Sequence, residues 1–242
     1  MTHVLNEQKL AADDVLCIPA QGVLLSRSKA KITPFIYSAP MDRVTGYSLT
    51  KELVRLGHYP VVSRALHQDE WLRTLKDFAG HPQVFFAVGL SKEQLLTLVN
   101  TLVEMEIDRP INLAIDVAHG DMKQAHELAG YLAEQQWCRF IMSGSICTPS
   151  AAARATTAGC THLRVGVGPG SMCTTRLITG CGYPQLSAVY DIAKEVEGVE
   201  IIADGGIRNP GDAVKYLAAG ATGVMLGSLL AKTREATGWE HA

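Results

Sequence analysis

The sequence contains no apolar run of the roughly 18 residues that a membrane-spanning helix needs. Its first residues, MTHVLNEQKLAADD, are polar and acidic and lack the basic and apolar regions of a secretory signal. It also has no excess of basic residues, since 22 Lys and Arg stand against 24 Asp and Glu for a net charge of -2. These absences argue against charge-driven binding to nucleic acid or membrane lipid, and they predict a cytoplasmic protein.

The sequence also lacks a C-x-x-C pair, although it has six cysteines: Cys17, Cys138, Cys147, Cys160, Cys173 and Cys181. Their scattered positions argue against a zinc knuckle and against a disulfide framework. His119 and His126 are seven residues apart, which is not the spacing of a metal-binding pair, so we expect them to be polar residues near a helix start. We expect every cysteine except Cys173 to be a reduced core residue.

Eight short apolar runs are the main feature that is present, and segments of helical period separate them. The runs are PFIYSAPM from Pro34, YPVVS from Tyr59, QVFFAVGL from Gln83, INLAID from Ile111, CRFIMSG from Cys138, HLRVGVG from His162, VEIIAD from Val199 and TGVMLG from Thr222. Each is almost continuously apolar, as a strand covered on both faces should be. Such alternation of strands and helices predicts βα units around a parallel sheet.

Seven helical segments lie between these runs: SLTKELVRLG, HQDEWLRTLKDFAG, SKEQLLTLVNTLVEME, DMKQAHELAGYLAEQ, TPSAAARATTAG, PQLSAVYDIAKEVEG and NPGDAVKYLAAG. Ser91 and Gln94 have the spacing of a capping box, and Asn209 precedes a proline at the first helical position. Eight strands in this order favour a (β/α)8 TIM barrel over an open doubly wound sheet. With no linker or low-complexity tract, residues 1–242 are predicted to form one domain.

The connection after the sixth run, GVGPGSMCTTRLITGCGYPQ from Gly166 to Gln185, is long for a βα loop and rich in glycine. Its glycines could turn backbone amides toward an anion or carbonyls toward a cation, although simple turn formation explains them equally well. Cys173 lies among hydroxyl residues and close to Arg176, a setting that favours the thiolate form. From the residues alone, an inert loop cysteine remains the stronger alternative.

A longer pattern surrounds this cysteine: RVGVGPGSMCTTR followed by TGCGYPQLSAV resembles the catalytic loop of IMP dehydrogenases and GMP reductases. Four more segments resemble the same family after the first, fourth, seventh and eighth strands: SAPMD from Ser38, DVAHG from Asp116, DGGI from Asp204 and MLGSLLA from Met225. The resemblance spans nearly the whole chain. It implies a TIM barrel that binds a purine nucleoside monophosphate, GMP or IMP.

The resemblance also implies a role for each matching residue. Cys173 would attack C2 of the purine, Thr175 would assist the chemistry of the covalent adduct, and Asp204 would bind the ribose hydroxyls. The other substrate-binding residues would be Ser38, Met41, Ser171, Gly206, Gly227 and Ser228, of which the last four would hold the 5′-phosphate. Asp116 and Gly166 would bind the nicotinamide cofactor, and the carbonyls of Gly168, Gly170 and Cys173 would bind potassium. Without the resemblance, Asp204 would be assigned to a helix-capping turn and Asp116 to a capped strand end.

Two features favour a GMP reductase-like enzyme that uses NADPH. Only one helix separates the second and third strands, where dehydrogenases of this family commonly carry a pair of regulatory domains. The segment GYPQLSAV is also more similar to reductases, with Tyr183 in place of a valine. An NAD-dependent IMP dehydrogenase and a nucleotide-binding protein that has lost turnover remain the alternatives.

The sequence departs from the family pattern in three places. SRAL, Ser63 to Leu66, replaces a His-Lys pair, and SGS, Ser143 to Ser145, replaces AGN. After MLGSLLA only eleven residues follow, so the expected flap and most of the last barrel helix are absent from this sequence. Without most of this helix, apolar residues on one side of the barrel would be exposed, which predicts a homo-oligomer. The family that the sequence resembles commonly forms tetramers.

Overall fold

A computed structural model describes residues 7–19, 22, 33 and 35–238, and it contains eight parallel strands. They are β1 Ile36–Ser38, β2 Val61–Val62, β3 Phe85–Val88, β4 Ile111–Asp116, β5 Cys138–Ile146, β6 His162–Val165, β7 Glu200–Asp204 and β8 Gly223–Leu226. Seven strands lie within the predicted apolar runs, and β5 continues two residues past its run, which ended at Gly144. The predicted (β/α)8 TIM barrel is therefore confirmed.

Helices alternate with these strands, and all seven predicted helices are present. They are α1 Tyr47–Arg55, α2 Gln68–Phe78, α3 Lys92–Glu104, α4 Lys123–Ala133, α5 Pro149–Thr157, α7 Gln185–Glu195 and α8 Pro210–Ala218. One further short helix, α6 Thr175–Thr179, lies inside the long glycine-rich loop and was not predicted. Of the described helices, none has the length and apolar character needed to cross a membrane.

The sheet runs in the order β1-β8-β7-β6-β5-β4-β3-β2. Its two ends meet at a parallel bridge between Tyr37 and Tyr59. There the Ser38 amide donates to the Tyr59 carbonyl at 3.1 Å, and the Tyr59 amide donates to the Ile36 carbonyl at 2.9 Å. These bonds close the barrel, so all eight carboxyl ends lie around one rim.

The strands are apolar on both faces because each face packs against a separate core. Alternate residues point into the barrel, where they form the cluster Tyr37, Ala39, Val61, Phe85, Ala114, Met142, Ile202 and Met225. Their neighbours along the strands, such as Val62, Phe86 and Leu113, point outward and pack beneath the helices. The absence of polar alternation in the sequence follows from this double burial.

Side-chain caps fix where several helices begin. Ser91 Oγ accepts the Gln94 amide at the start of α3, and Asn209 Oδ1 accepts the Asp212 amide at 3.0 Å at the start of α8. Thr148 caps α5 in the same way, with Pro149 at the first helical position. Both N-cap residues named from the sequence are therefore present, but of the predicted capping box only the bond to Ser91 Oγ is among the described hydrogen bonds.

The N-terminal segment lies along α7 and α8, which the sequence did not indicate. Leu10 and Ser187 exchange hydrogen bonds of 2.8 and 3.0 Å, and the Lys215 ammonium donates to the Ala12 carbonyl at 2.8 Å. Ala12 is buried within a 3-10 helix, Ala12–Asp14. This contact brings the segment to the carboxyl rim of the barrel.

After β8 the described chain forms a 3-10 helix, Leu230–Lys232. It then continues in turns and bends as far as Gly238.

Candidate active site

A cavity of about 600 Å³ opens at the carboxyl ends of β1, β6, β7 and β8. Its wall combines the loop after β6, the turn after β7 and the N-terminal segment. Six of the seven substrate residues expected from the sequence line it: Met41, Ser171, Asp204, Gly206, Gly227 and Ser228. The barrel thus gathers at one cavity residues that are up to 187 positions apart along the chain (from 41 to 228).

Ser38, the seventh expected substrate residue, does not line this cavity. It is fully buried, and its Oγ accepts hydrogen bonds from Thr45 Oγ1 at 2.8 Å and from the Val61 amide at 3.1 Å. Ser38 therefore ties β1 to β2 beneath the site. Its chain neighbours Ala39 and Met41 provide the cavity wall.

A second cavity of about 640 Å³ lies on the β4 side of the barrel. Asp116, the expected cofactor residue, lines it together with Arg64, Ser145 and Arg164. Gly166, the other expected cofactor residue, does not. Its amide donates to the Ile146 carbonyl at 2.8 Å, so it is part of the barrel rim.

Cys173 lines both cavities and is exposed. Its Sγ donates to Thr175 Oγ1 at 3.2 Å, and its amide donates to the Gly170 carbonyl at 3.0 Å. The two residues expected to be catalytic are therefore in contact. This arrangement places a nucleophilic sulfur, with a hydroxyl partner, where the two cavities meet.

The described side-chain hydrogen bonds of Arg176 go to backbone carbonyls and not to Cys173. Arg176 Nε donates to the Val167 carbonyl at 2.9 Å and its Nη2 to the Tyr183 carbonyl at 2.7 Å. The guanidinium therefore joins the two ends of the loop. It packs so closely on Gly182 that a Cβ there would lie 2.8 Å from Nε, so a larger residue at this position would displace the Arg176 side chain.

Arg164 on β6 is a site residue that the sequence analysis missed. It is buried, and its Nη1 donates to Asp116 Oδ1 at 2.7 Å while its Nε and Nη2 donate to Asp204 Oδ2 at 3.2 and 2.9 Å. Burial alone lowers the pKa of Arg164, but both carboxylates outweigh it and raise that pKa. A charged residue inside an otherwise apolar strand was the available signal.

The guanidinium of Arg164 therefore links the walls of the two cavities. It uses one oxygen of Asp204, while Oδ1 of Asp204 has no hydrogen-bond partner within the described part of the chain. That free oxygen can accept hydroxyl groups of a ligand. On the other side, Asp116 Oδ2 lies 3.7 Å from Arg64 Nε, so Asp116 is held by two arginines.

The loop after β6 contains Gly168, Gly170 and Cys173, whose backbone carbonyls are the expected potassium ligands. The Gly170 carbonyl already accepts the Cys173 amide, and the Arg176 side chain packs against Gly168. Within residues 7–19, 22, 33 and 35–238 there is no group of three or more His, Cys, Asp or Glu residues able to hold a metal. His126 Nε2 instead pairs with Asp121 Oδ1 at 3.0 Å near the start of α4.

The prediction that the other five cysteines are core residues was wrong for two of them. Cys17 and Cys181 are exposed, whereas Cys160 is buried and Cys138 and Cys147 are partly buried. Cys181 follows α6 in the long loop, and Cys17 follows the 3-10 helix of the N-terminal segment. Their apolar neighbours in the sequence belong to exposed loops.

Comparison with known proteins agrees with this geometry. The model of the IMP dehydrogenase / GMP reductase domain matches residues 10–241. Inosine-5′-monophosphate dehydrogenases are 44% identical over 70% of this chain in Halalkalibacterium halodurans and 42% identical over 96% in Staphylococcus saprophyticus. GMP reductase 2 of Bos taurus is 32% identical over 98% of this chain and 73% of its own length. The chain spans only 34% and 44% of the two dehydrogenases. The chain belongs to the IMP dehydrogenase / GMP reductase family.

Proposed function

We propose that this chain binds a purine nucleoside monophosphate and catalyses a redox reaction at C2 of its base. The observation that carries the proposal is the position of Cys173 at the junction of the two cavities. A nucleotide in the first cavity and a nicotinamide cofactor in the second would meet at this sulfur. Family membership supports this class of oxidoreductase.

The first cavity has the donors and acceptors that such a nucleotide needs. The hydroxyls of Ser171 and Ser228 and the amides of Gly206 and Gly227 would hold the 5′-phosphate, as donors near strand ends do in many barrels. Asp204 Oδ1 would accept the ribose hydroxyls. Met41 would lie against the purine or the sugar.

The second cavity fits a nicotinamide cofactor because its wall offers an acceptor, Asp116, whose charge is balanced by the buried Arg164. Asp116 would bind hydroxyl or amide donors of the cofactor, and Ser145 and Thr175 would lie beside the reacting ring. The cofactor would supply or accept the hydride.

The chain's own part in the reaction is nucleophilic. For GMP, the Cys173 thiolate would add to C2, the 2-amino group would leave as ammonia after gaining a proton, and the sulfur would depart once C2 has been reduced. The Thr175 hydroxyl, at 3.2 Å from Sγ, would hold or pass the proton of the thiol. The products would be IMP, ammonia and the oxidised cofactor.

A GMP reductase-like activity with NADPH is our first choice because β2 and β3 are joined only through α2. Tyr183 adds little to that choice, since its hydroxyl donates to Asp191 Oδ2 at 3.0 Å, and Tyr183 is not among the residues lining the first cavity. The alternative is an IMP dehydrogenase that uses NAD, which the similarity to dehydrogenases favours. A nucleotide-binding protein without turnover is the third candidate.

An assay with purified protein tests the proposal. GMP with NADPH and IMP with NAD are supplied in separate reactions, and the absorbance of the reduced nicotinamide is followed. We expect loss of absorbance with GMP and NADPH, and none in Cys173→Ala. A gain with IMP and NAD would assign the dehydrogenase. If neither reaction proceeds but calorimetry detects either nucleotide, the binding-protein alternative replaces the enzyme.

A further inference from the structure

Gln185, the first residue of α7, lies at the floor of the first cavity and is only 3% exposed. Its Nε2 donates to two backbone carbonyls, those of Val165 at 2.6 Å and Asp204 at 3.3 Å. Val165 ends β6 and Asp204 ends β7. One side-chain amide therefore joins the carboxyl ends of the two strands that lead into the site.

The orientation of this amide is fixed, because both partners are acceptors and only the NH₂ group can face them. Its Oε1 is buried and has no hydrogen-bond partner among the described residues. A buried acceptor without a partner costs free energy that an apolar side chain of the same size would avoid. The two bonds that Nε2 donates must therefore offset the cost of leaving Oε1 without a partner.

Gln185 is in contact with the two backbone segments that lead to Cys173 and to the Asp204 carboxylate. Gly166, where the long loop begins, has φ +151, and a Cβ there would lie 2.8 Å from Nε2 and from Oε1 of Gln185 and would clash with the Asp204 carbonyl. Gly166 leads within seven residues to Cys173, and the backbone of Asp204 carries the carboxylate bound by Arg164.

We propose that Gln185 is a positioning residue, which sets the distance between the base of the Cys173 loop and the Asp204 carboxylate and so tunes nucleotide binding. This inference rests on the proposed nucleotide site and assigns Gln185 an effect that acts through the backbone carbonyls of Val165 and Asp204. Without the two donated bonds, the ends of β6 and β7 lose a shared anchor at the rim, where the strand ladder has already ended at Val165 and Ala203.

The test replaces Gln185 with Met, which keeps the length and removes both donors, and with Glu, which at neutral pH also places a negative charge against two carbonyl oxygens. Gln83→Met is the matched control, because Gln83 Nε2 also donates to a backbone carbonyl, that of Gly57, at the amino end of the barrel. Calorimetry with GMP and IMP gives the affinity separately from the fraction of protein able to bind.

We expect about tenfold weaker nucleotide binding in Gln185→Met, and weaker binding still in Gln185→Glu, at unchanged stoichiometry. Gln83→Met should lower the melting temperature and leave the affinity unchanged. If wild-type protein binds nucleotide and Gln185→Met changes only the melting temperature or the stoichiometry, Gln185 is merely structural and the proposal is wrong.

Amide hydrogen exchange without any ligand separates this inference from the proposed function. In Gln185→Met we expect faster exchange at residues 166–173 and 204–206, with other strand ends unaffected. This result would support the positioning role even if wild-type protein bound neither GMP nor IMP, an outcome that would instead refute the proposed nucleotide site. Unchanged exchange at both segments would overturn the inference.

Discussion

At the scale of single residues, the six cysteines have clearly different surroundings. Burial raises the pKa of Cys138 and of Cys160 to about 12, so both remain protonated thiols near neutral pH. Burial also raises the pKa of Cys147, against a smaller opposing effect of Arg176. Cys17, Cys173 and Cys181 are exposed, and of these three Cys173 alone lines either of the two cavities described above. Reactivity and ligand protection should therefore separate the six thiols.

We predict that brief treatment with iodoacetamide near neutral pH modifies Cys173 first, because its sulfur is accessible and lies in a glycine-rich loop beside a hydroxyl. Saturating GMP or IMP should protect Cys173 and leave the labelling of Cys17 and Cys181 unchanged. Peptide mass mapping gives the extent at each position. Cys138 and Cys160 serve as internal controls and should react only after unfolding. Uniform labelling, or protection that is absent at Cys173, would show that this sulfur does not face the nucleotide.

Asp204 has a proposed binding role and an observed ion pair with Arg164, and replacing it should test both. In Asp204→Ala the ribose hydroxyls lose their acceptor, which should weaken GMP or IMP binding by about 1–3 kcal/mol. Arg164 also loses one of its two carboxylate partners while buried, so the free energy of unfolding should fall by roughly 3–5 kcal/mol. Calorimetry and urea unfolding measure the two effects.

The control for this variant is Glu52→Ala, which removes an exposed carboxylate paired with Arg55 on α1. Exposed pairs contribute little to stability, so both measurements should remain close to wild type. An Asp204→Ala protein with wild-type affinity would mean that another group binds the ribose. An Asp204→Ala protein with wild-type stability would mean that the ion pair with Asp116 is sufficient to stabilise the buried charge of Arg164.

At the scale of elements, the sequence was sufficient for all eight strands and for seven helices, because uninterrupted apolar runs and helical periodicity arise directly from double-sided burial. The helix α6 was missed because five residues are too few for a periodicity to show. The contact of the N-terminal segment with α7 was missed because it depends on pairs such as Leu10 and Ser187, which are 177 positions apart.

Of the candidate site, only those residues that belong to a recognisable sequence motif could be predicted. Positions such as Ser171, Asp204 and Ser228 came from family resemblance, and the barrel places them at one cavity. Arg164 and Gln185 bind partners on other strands, and their sequence neighbours give no indication of those partners. Ser38 belongs to a motif but points into a buried network with Thr45, because neighbouring side chains on a strand face opposite sides.

His162, the first residue of β6, should make the stability of the folded protein depend on pH. It is buried among the rings of Phe85, Phe140 and Tyr37, with Nδ1 at 2.8 Å from Thr161 Oγ1. Burial lowers its pKa to about 4, against a smaller opposing effect of Glu200. Between that value and the ordinary value of about 6.5 the unfolded chain binds more protons than the folded one.

We therefore predict that stability falls as the pH is lowered from about 6.5 to about 4, and that His162 accounts for up to roughly 3 kcal/mol of the loss. Urea unfolding across this range should show the effect in wild type and a shallower pH dependence in His162→Leu. Burial also lowers the pKa of His58 and of His81, but both residues are present in each protein, so the difference isolates His162. Parallel curves for the two proteins would contradict the prediction.

At the scale of the whole molecule, three of the most exposed large apolar side chains lie in the loop that carries Cys173. Met172 is 81% exposed, Leu177 87% and Ile178 78%, and all three lie between Gly170 and Gly180. Large apolar patches that stay exposed on a soluble protein often mark interaction sites. The loop that carries Cys173 is therefore a candidate surface for contact with another protein chain.

We predict that the chain forms a homo-oligomer through this surface, with a tetramer as the expected state. Multi-angle light scattering should give a mass well above the 26.1 kDa of one chain. The double variant Leu177→Lys and Ile178→Lys should shift the protein toward the monomer, because charged side chains resist burial in an interface. The control is Leu96→Lys with Val103→Lys on α3, which changes two other exposed apolar residues and should leave the mass unchanged. A wild-type particle of one chain mass would refute assembly, and an oligomer that both double variants leave intact would place the interface on another face of the barrel.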